Sequence, residues 1–422
     1  MKILWTTNMP IMSAAEALGT SIGGFGGWME QAYVELKCQK DIELVVLTSW
    51  AVKEAVVKRE ERVTYYVIPG GAAVDKFNHR SKKNLSAIKK ILSVEQPDII
   101  HFWGTESRLA DAVCRVSSEI PKVVFIQGMI KSVVEHYYEA SSKSKLSRAV
   151  TFHDILKGKT VGKIEKKFAK KTKTEKNVLQ SSNNIICDND WCEAMCKSIN
   201  PDLRVYKQNL LIDEVFSSGQ WNENNSHRIF CASQYAPFKG FEVLLLAVSY
   251  LKEKYPDIEI AVPGGWRNPP KSLVAKLKYD GYSNYINRLI KKLGLKDNVK
   301  NLGSLSREEM ARYMSESEIF VQCSTVENHS STMREAMFLG MPCVVSNCGC
   351  ISEYVINNCN GFLYRNNEPA VLAFYIDKLF ADAELKRRLA ASAKSFIQKK
   401  YAENTNFTTL EIYSSILKRI GE

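Results

Sequence analysis

Two glutamates, Glu327 and Glu335, bracket a polar run in the C-terminal half of the chain. The run follows a strand-like segment, Ile319–Val321, and a helix is predicted to begin near Thr332 and to end at Gly340. The N-terminus of a helix exposes free N–H groups and a partial positive charge, which together suit a phosphate group. Thr332 and Glu335 also have the spacing of a capping box, in which Glu335 would only stabilise the helix start. Local sequence leaves both interpretations open.

Two cations follow other strand-like segments of the same half. Lys239 lies in the sequence PFKG after the predicted strand Ile229–Ala232, and Arg267 lies in PGGWRNPP after Ile258–Val262. Each could offer its charge to an anion at the end of a strand. Each could equally be an ordinary surface residue beside a turn.

The first half of the chain offers weaker signals. Gly26 and Gly27 come directly before a helix predicted from Trp28, where glycine permits a close approach of the backbone to a phosphate. His101 and Glu106 lie at the end of a predicted strand, in the sequence HFWGTE. His101 could line a ligand site or could be a buried core histidine.

Short β-branched runs alternate with helical patterns along the whole chain, which predicts a parallel α/β architecture. The predicted strands are Ile3–Thr6, Leu44–Leu47, Tyr65–Ile68, Ile99–Phe102, Val123–Ile126, Ile185–Cys187, Ile229–Ala232, Ile258–Val262, Val299–Leu302, Ile319–Val321 and Cys343–Ser346. A polar, Asn-rich segment, 212–227, is predicted to be a linker.

The linker divides the chain into an N-terminal domain of residues 1–215 and a C-terminal domain of residues 216–402. A helix at about 403–422 is expected to pack back on the first domain. We expect two doubly wound, Rossmann-like domains that face each other across a central cleft. Ligands of such sheets bind at the carboxyl ends of the strands.

The composition excludes several classes of protein. A chain of 422 residues with 45% hydrophobic residues is long enough for two folded domains and too apolar for a disordered one. No apolar run reaches the length of a membrane span, and the start MKILWTTNMP does not resemble a secretory signal, so a cytoplasmic location is expected. The eleven cysteines show no paired CxxC spacing, which favours buried thiols over a metal site or a disulfide framework.

The net charge of +12 is concentrated in residues 157–176, KGKTVGKIEKKFAKKTKTEK, where nine lysines accompany two glutamates. A solvated helix face is one interpretation. Attraction to anionic lipid headgroups is another, at about 1 kcal/mol per basic residue near a membrane surface. Nucleic acid is a weaker option, because no aromatic interleaving or known binding motif accompanies the lysines.

The segment ENHSSTMREAMFLGMPCVVS resembles the E-x7-E motif of the retaining glycosyltransferases of family 4, also called glycosyltransferase group 1, which have the GT-B fold. The similarity extends to ASQYAPFKGFEVLLLAV, to YINRLIKKLGLKDNVKNLGSLSREEMARYM, and to the G-x-x-x-E of Gly349–Glu353. It covers most of the C-terminal domain. The ENHSST version is most similar to bacterial enzymes that make capsular or other surface polysaccharides.

The resemblance implies a role for each matching residue. Glu335 would hold the ribose of a donor nucleotide, and Glu327 would contact hydroxyls of the transferred sugar. Lys239 would neutralise the leaving diphosphate. The backbone around the helix start would cradle the diphosphate or the sugar, and a loop after Val299–Leu302 would contact the base. These backbone groups belong to Ser330, Ser331 and Thr332, and to Gly303 and Ser304.

The chain departs from the family pattern at two glutamines. Gln234 stands where the family has an arginine, five residues before the lysine, and we expect Arg267 to replace that cation. Gln127 stands where many relatives have a histidine; its amide could hydrogen-bond a sugar but could not act as an acid or base.

The N-terminal half would supply the acceptor side. The resemblance places Gly26 and Gly27 beside the donor diphosphate and the acceptor. Glu106 is a candidate for acceptor hydroxyls, together with Gln127 and His101. His153 and Asp154, beside the lysine-rich stretch, are further acceptor-side candidates.

The resemblance thus implies a retaining, metal-independent transfer from a nucleotide diphosphate sugar to a glycan in surface polysaccharide synthesis, and we expect that acceptor to be lipid-linked. The lysine-rich stretch adds the expectation that this cytoplasmic protein lies at the inner face of the cytoplasmic membrane. No cofactor is expected, and the departing phosphate would help to deprotonate the acceptor. Two alternatives remain open. One is a nucleotide-sugar epimerase with the same fold, and the other is a non-catalytic subunit that binds nucleotide sugars.

Overall fold

The computed structural model describes residues 1–19, 27–70, 77–231, 236–264, 266–270, 272, 275, 277–403 and 407–419. The chain divides into two compact units. Unit 1 comprises Met1–Lys131, Ala169–Leu211 and Thr405–Glu422, and unit 2 comprises Ser132–Phe168 and Ile212–Asn404. Each unit is built around one sheet with its own hydrophobic core.

Unit 1 contains an eight-stranded sheet in the order β3-β4-β2-β1-β5-β6-β7-β8. Its strands are β1 Lys2–Thr7, β2 Glu43–Trp50, β3 Val56–Arg59, β4 Val63–Pro69, β5 Ile99–Trp103, β6 Lys122–Phe125, β7 Asn184–Cys187 and β8 Arg204–Lys207. The pairs are parallel except for β3 with β4. The order reverses between β1 and β5, so the carboxyl ends of these two strands form the topological switch point of unit 1.

Unit 2 contains a six-stranded parallel sheet in the order β11-β10-β9-β12-β13-β14. Its strands are β9 Arg228–Phe230, β10 Glu259–Pro263, β11 Val299–Gly303, β12 Ile319–Gln322, β13 Cys343–Ser346 and β14 Phe362–Tyr364. This is the strand order of a doubly wound dinucleotide-binding fold, with its switch point between β9 and β12.

The helices of the described residues cover the sheets. They are α1 Met12–Ala17, α2 Gly27–Lys37, α3 Lys82–Glu95, α4 Arg108–Cys114, α5 Ile130–Glu135, α6 Lys143–Ser147, α7 Phe152–Lys157, α8 Val161–Gln180, α9 Asp190–Lys197, α10 Glu214–Ser217, α11 Phe241–Leu251, α12 Gly281–Lys292, α13 Arg307–Ser315, α14 Ser331–Leu339, α15 Pro369–Ala381, α16 Ala383–Glu403 and α17 Thr409–Lys418. Within the described residues, no helix is both long and apolar enough to cross a bilayer.

Each predicted strand corresponds to an observed one, but β3, β8 and β14 were not predicted. All three lie at the edge of a sheet. Central strands are buried on both faces and form continuous apolar runs, whereas β3 and β8 have partly exposed side chains. The edge strands β3 and β8 therefore lack the apolar signal on which the prediction depends, and β14 is apolar but only three residues long.

The predicted linker is folded onto unit 2. Glu214–Ser217 forms α10, and Phe216 at its centre is fully buried. Trp221 is buried as well, and its Nε1 donates to the carbonyl of Ser317 at 2.8 Å. The Asn-rich composition predicted a loop because these two aromatic residues are isolated among polar neighbours.

The observed units also differ from the predicted domains at one segment. Ser132–Phe168 falls within the predicted N-terminal domain of residues 1–215, but it belongs to unit 2. Tyr137 and Leu146 of this segment lie in the same core cluster as Phe241 of α11. The chain therefore passes between the two units four times along its length.

The C-terminal helix α17 belongs to unit 1. Its Tyr413 is fully buried, and the hydroxyl accepts a hydrogen bond from Trp5 Nε1 at 2.9 Å. The same hydroxyl is hydrogen-bonded to His101 Nδ1. A polar triad thus joins β1 and β5 to a helix that lies more than 300 residues away in sequence.

Candidate functional site

The ammonium group of Lys239 lies 2.6 Å from Glu327 Oε1. Lys239 belongs to the loop after β9, and Glu327 belongs to the loop after β12. Because β9 and β12 flank the switch point of unit 2, the pair lies where open α/β sheets bind ligands. Both side chains are mostly buried, with 23% and 12% of their surface exposed.

Close contact between the two loops positions this ion pair. Gly240 has φ +65°, and a Cβ at this residue would lie 2.1 Å from the carbonyl oxygen of Cys323. Only glycine therefore allows the lysine loop to lie against the chain after β12. Thr325 joins the same loops, since its backbone N–H donates to the carbonyl of Phe238 at 2.8 Å.

A second glycine positions the backbone of Glu327. Gly349 has φ +52°, and a Cβ there would lie 1.9 Å from the carbonyl oxygen of Glu327. The same carbonyl accepts from the N–H of Cys350 at 3.1 Å. The loop after β13 therefore supports the loop that carries Glu327.

Helix α14 begins at Ser331, one residue before the predicted start, and ends at Leu339 with the predicted Gly340 as its C-cap. Its N-cap is Ser330, which has φ 43° and makes no side-chain cap hydrogen bond. The hydroxyl of Ser330 donates instead to Oε1 of Gln322 on β12, at 2.7 Å. The backbone of Ser331 and Thr332 lies in the first turn, where N–H groups have no partner within the helix.

The structure excludes the capping box as the explanation for Glu335. The carboxylate does not cap the helix; Arg307 Nη2 donates to Oε1 at 3.0 Å. Glu335 is only 2% exposed, and burial raises the pKa of its carboxyl against the opposing effect of Arg307. Oε2 is buried and has no hydrogen-bond partner in the described part of the chain.

Arg307 is a residue that the sequence reasoning did not identify. It begins α13, and it also contacts Oδ2 of Asp213 at 3.4 Å and lies over the ring of Phe216 at 4.7 Å. Its side chain is 40% exposed. A partly exposed cation therefore lies beside the buried carboxylate, in a position to contact a bound anion or hydroxyl.

Gly303 ends β11, and the next residue, Ser304, is exposed. The carbonyl of Gly303 accepts from the N–H of Gly264, which joins the loops after β10 and β11. Arg307 follows Ser304 after one short turn. The predicted base-contacting loop therefore leads directly into the helix whose first residue contacts Glu335.

Arg267 lies elsewhere on the loop after β10. Its guanidinium is exposed and donates to the carbonyl of Lys278, and its backbone N–H donates to Ser283 Oγ at 2.9 Å. No described contact joins it to Lys239 or Glu327. Its predicted role as a replacement cation stays a prediction.

Three predicted positions cannot be placed fully. Gln234 and Gly26 lie outside the described residues. Gly27 is the first residue of α2. Their predicted roles beside a diphosphate therefore stay predictions.

Unit 1 brings two of its predicted residues together. Asn8 follows β1, and its Nδ2 donates to Glu106 Oε1 at 2.7 Å and to Gln127 Oε1 at 3.4 Å. Burial raises the pKa of the Glu106 carboxyl. Oδ1 of Asn8 is buried and lacks a hydrogen-bond partner among the described residues. A polar cluster thus lies at the switch point of unit 1, and Asn8 is a member that sequence reasoning missed.

His101 is a core histidine and not part of that cluster. It is fully buried, stacks on Trp103 with ring centroids 4.4 Å apart, and is hydrogen-bonded to Tyr413. Burial lowers the pKa of its imidazole to about 3. The ring is therefore neutral near pH 7 and serves the packing of unit 1.

His153 and Asp154 lie on α7 in unit 2. Asp154 is 2% exposed and forms a capping box with Thr151. His153 Nδ1 lies 3.7 Å from Asp154 Oδ1. The contacts of Asp154 are those of a helix cap, and its predicted acceptor-side role stays a prediction.

The match to a known protein family lies in the C-terminal half of the chain. Residues 214–396 match the family model described as glycosyl transferases group 1. A trehalose synthase from Pyrococcus horikoshii is 25% identical over 193 residues, which are 45% of this chain and 43% of that protein. A D-inositol 3-phosphate glycosyltransferase from Streptomyces scabiei is 25% identical over 190 residues, 44% of this chain and 41% of that protein. The matched region thus spans less than half the length of these relatives.

Solved structures match the whole chain. A sucrose-phosphate synthase from Thermosynechococcus elongatus has a TM-score of 0.67 at 16% identity, with 100% of this chain and 97% of that chain covered. The Anabaena protein HepE, in complex with UDP and glucose, has a TM-score of 0.63 at 14% identity, with both chains fully covered. The predicted fold class is confirmed: two Rossmann-like α/β units of the GT-B type.

Proposed function

We infer that this chain is a glycosyltransferase, because residues 214–396 match the family model of the glycosyl transferases group 1. We propose that it moves a sugar from a nucleoside diphosphate to a glycan with retention of the anomeric configuration. The ion pair of Lys239 with Glu327 at the switch point of unit 2 is the observation that carries this proposal.

The ion pair offers a cation and a carboxylate at one place. Departure of a nucleoside diphosphate creates negative charge on phosphate oxygens, and a preorganised cation stabilises that charge. We propose that the diphosphate of the donor takes Glu327's place beside the Lys239 ammonium. Glu327 would then accept hydrogen bonds from hydroxyls of the sugar.

The start of α14 supports the same assignment. Glu327 lies four residues before Ser331, the first residue of the helix. Backbone N–H groups of Ser330, Ser331 and Thr332 would add donors for the phosphate or the sugar. The side chain of Lys239 and the N-terminus of α14 would thus together stabilise the negative charge on the leaving group.

In the proposed reaction, the bond from the anomeric carbon to the phosphate oxygen breaks, and a bond from that carbon to the acceptor oxygen forms on the same face. The proton of the acceptor hydroxyl passes to the departing phosphate oxygen. No side chain of the protein forms a covalent bond with the sugar. The chain's own residues bind, orient and stabilise charge.

Glu335 is proposed to hold the ribose. Its Oε2 is buried and unpartnered among the described residues, which is costly unless a ligand hydroxyl donates to it. Gly303 and Ser304 would contact the base, since their loop leads into Arg307. Because neighbouring structures contain UDP or UDP-sugars, a uridine nucleotide is the donor to test first.

Unit 1 is proposed to bind the acceptor through Asn8, Glu106 and Gln127. We propose a lipid-linked acceptor in surface polysaccharide synthesis, and a cytoplasmic protein that attaches to the inner face of the membrane through the stretch 157–176. The lysines of that stretch would meet anionic headgroups. We also propose that Lys239 and the helix start make a divalent metal unnecessary, so that excess EDTA leaves transfer unchanged.

Incubation with a panel of labelled nucleotide sugars tests the proposal. A glycosyltransferase without its acceptor would slowly hydrolyse one donor, and Lys239→Ala would lower that rate by about 100-fold or more. Lys254→Ala is the matched control, because Lys254 is an exposed lysine of unit 2 paired with Asp377. Release of an epimerised nucleotide sugar would favour the epimerase. Binding without any turnover, with acceptor extracts present, would favour the non-catalytic subunit.

A further inference from the structure

Helix α7 has an inverted distribution of polar and apolar side chains. Phe152, Ile155 and Leu156 are 65%, 64% and 65% exposed, whereas Asp154 is 2% exposed. The three apolar residues follow the i, i+3, i+4 spacing of one helix face. Exposed large apolar residues normally occur singly on a protein surface, so a cluster of three on one turn indicates a binding surface.

The polar face of α7 is fixed to the rest of unit 2. Thr151 Oγ1 donates to the carbonyl of Tyr279 at 2.6 Å, and Asp154 Oδ2 accepts from the N–H of Thr151 at 2.9 Å. Asp154 also packs against Gly281, where an added Cβ would lie 2.5 Å from Oδ2. These contacts hold the helix so that its apolar face points outward.

Exposed lysines end α7 and follow it closely in sequence. Lys163 Nζ lies 4.0 Å from the position of a Cβ on Gly158, the residue that ends α7. Lys163, Lys166 and Lys167 are exposed in the first turns of α8, and Lys157 is exposed at the end of α7. Apolar residues flanked by lysines match the interface of an anionic bilayer, where apolar side chains enter the acyl boundary and cations meet the headgroups.

We propose that Phe152, Ile155 and Leu156 insert into an anionic lipid surface and that Lys163, Lys166 and Lys167 bind its headgroups. We call this the α7 surface. The α7 surface goes beyond the proposed function. It rests on that function in one respect: a lipid-linked acceptor would lie in the same membrane. The lysines give the preference for anionic lipid, and the apolar triad gives binding that survives when salt screens the charges.

Co-sedimentation of the full chain with vesicles tests the α7 surface. Vesicles of phosphatidylcholine alone are compared with mixed vesicles of phosphatidylcholine and phosphatidylglycerol, at low and high salt. Wild type is expected to bind the mixed vesicles, and raised salt is expected to weaken that binding without abolishing it. The triple change Phe152→Ser, Ile155→Ser, Leu156→Ser should lower the partition coefficient at least about tenfold.

Matched variants separate this surface from general stickiness. The control Tyr250→Ser, Ile356→Ser, Phe374→Ser removes apolar residues of unit 2 that are 60%, 49% and 57% exposed elsewhere, and it should bind as wild type does. The change of Lys163, Lys166 and Lys167 to Gln should weaken the preference for anionic vesicles. Changing Lys82, Lys83 and Lys89 of α3 to Gln should not. The single change Leu156→Asp, with an unchanged melting temperature, repeats the apolar test without a triple substitution.

Three results would overturn the proposal. The first is equal binding of the apolar triple variant and wild type. The second is no binding of wild type to mixed vesicles, or equal binding to both kinds. The third is that wild type is a dimer, the apolar triple variant is a monomer, and neither binds vesicles. This result would assign the surface to a second copy of the chain. UDP binding, measured on the same samples, reports the proposed function separately, because none of these variants changes a donor-site residue.

Discussion

Lys239 Nζ and Glu327 Oε1 are 2.6 Å apart although 88 residues separate them in sequence. Their loops follow β9 and β12, the two strands between which the order of the sheet reverses. Gly240 against Cys323, and Gly349 against Glu327, fix the two loops from either side. Without a ligand, the carboxylate thus neutralises the cation that the proposed function assigns to a diphosphate.

Gly349→Ala is predicted to displace Glu327 without unfolding unit 2. An alanine Cβ would overlap the carbonyl of Glu327 at 1.9 Å, and φ +52° is unfavourable for alanine. We expect nucleotide affinity to fall at least about tenfold, as measured by isothermal titration. Gly128→Ala is the control, because a Cβ there meets no atom within 4 Å. Equal nucleotide affinities for the two variants would show that Gly349 does not support the nucleotide site.

Arg307→Ala is predicted to weaken nucleotide binding. It removes the cation that contacts the buried Glu335 at 3.0 Å, and burial then raises the pKa of that carboxyl further. A carboxylate that takes up a proton, or that rotates away, binds ribose hydroxyls less well, so a loss of about tenfold is expected. Arg312→Ala on the same helix removes an exposed arginine paired with Glu316 and should change nothing. If Arg307→Ala lowers the nucleotide affinity by the same factor at every pH from about 5 to about 8, its effect does not act through protonation of Glu335.

Glu242→Gln is predicted to stabilise the protein at neutral pH. Glu242 is 1% exposed on α11, with Tyr282 donating to Oε2 at 3.3 Å, and burial raises its pKa from 4.5 to about 6. Because this folded-state pKa lies above the unfolded one, its stabilising effect is complete below pH 4.5 and is lost as the pH rises to about 6.

Above pH 6, the raised pKa lowers the free energy of unfolding by about 2 kcal/mol. Glutamine at this position would restore that stability. Urea unfolding of wild type and variant between pH 4 and about 8 measures the difference. The two curves should converge at the acid end. A constant difference, or one that grows toward acid pH, would contradict a buried carboxyl whose pKa is raised to about 6.

Tyr413→Phe is predicted to destabilise unit 1. The hydroxyl is the acceptor for Trp5 Nε1 and the partner of His101 Nδ1, and both rings are buried. Loss of the hydroxyl leaves two buried polar groups without that partner, at a cost of about 1–3 kcal/mol. The midpoint of urea unfolding reports the loss, and Tyr250→Phe, on a 60% exposed tyrosine, is the control. Unchanged unfolding of Tyr413→Phe would mean that this hydroxyl contributes little to the stability of unit 1.

Sequence patterns predicted the central strands because each is an apolar run of β-branched residues bounded by turns. They did not predict β3 and β8, whose edge positions leave room for polar residues, or β14, which is only three residues long. They also predicted a linker at residues 212–227, because Phe216 and Trp221 do not form a periodic apolar pattern. Burial of isolated aromatic residues is decided by tertiary contacts, which a local pattern does not contain.

The candidate site was predictable where one motif carries it. Glu327, Glu335 and the helix start lie within one segment, and Lys239 lies in a recognisable loop. Arg307 was not predictable, because its contacts with Asp213 and Glu335 span 94 and 28 residues. Its local sequence, SREE, indicates only the start of a helix. Asn8 was missed for the same reason, since its partner Glu106 is 98 residues away.

The most direct test of the central claim is titration of UDP and GDP into wild type, Lys239→Ala, Glu335→Ala and the control Lys254→Ala by calorimetry. We predict that wild type and the control bind one of the two nucleotides equally well. The other two variants should bind it at least about tenfold more weakly. Unchanged affinity for both nucleotides in Lys239→Ala and Glu335→Ala would contradict a donor site at the switch point of unit 2.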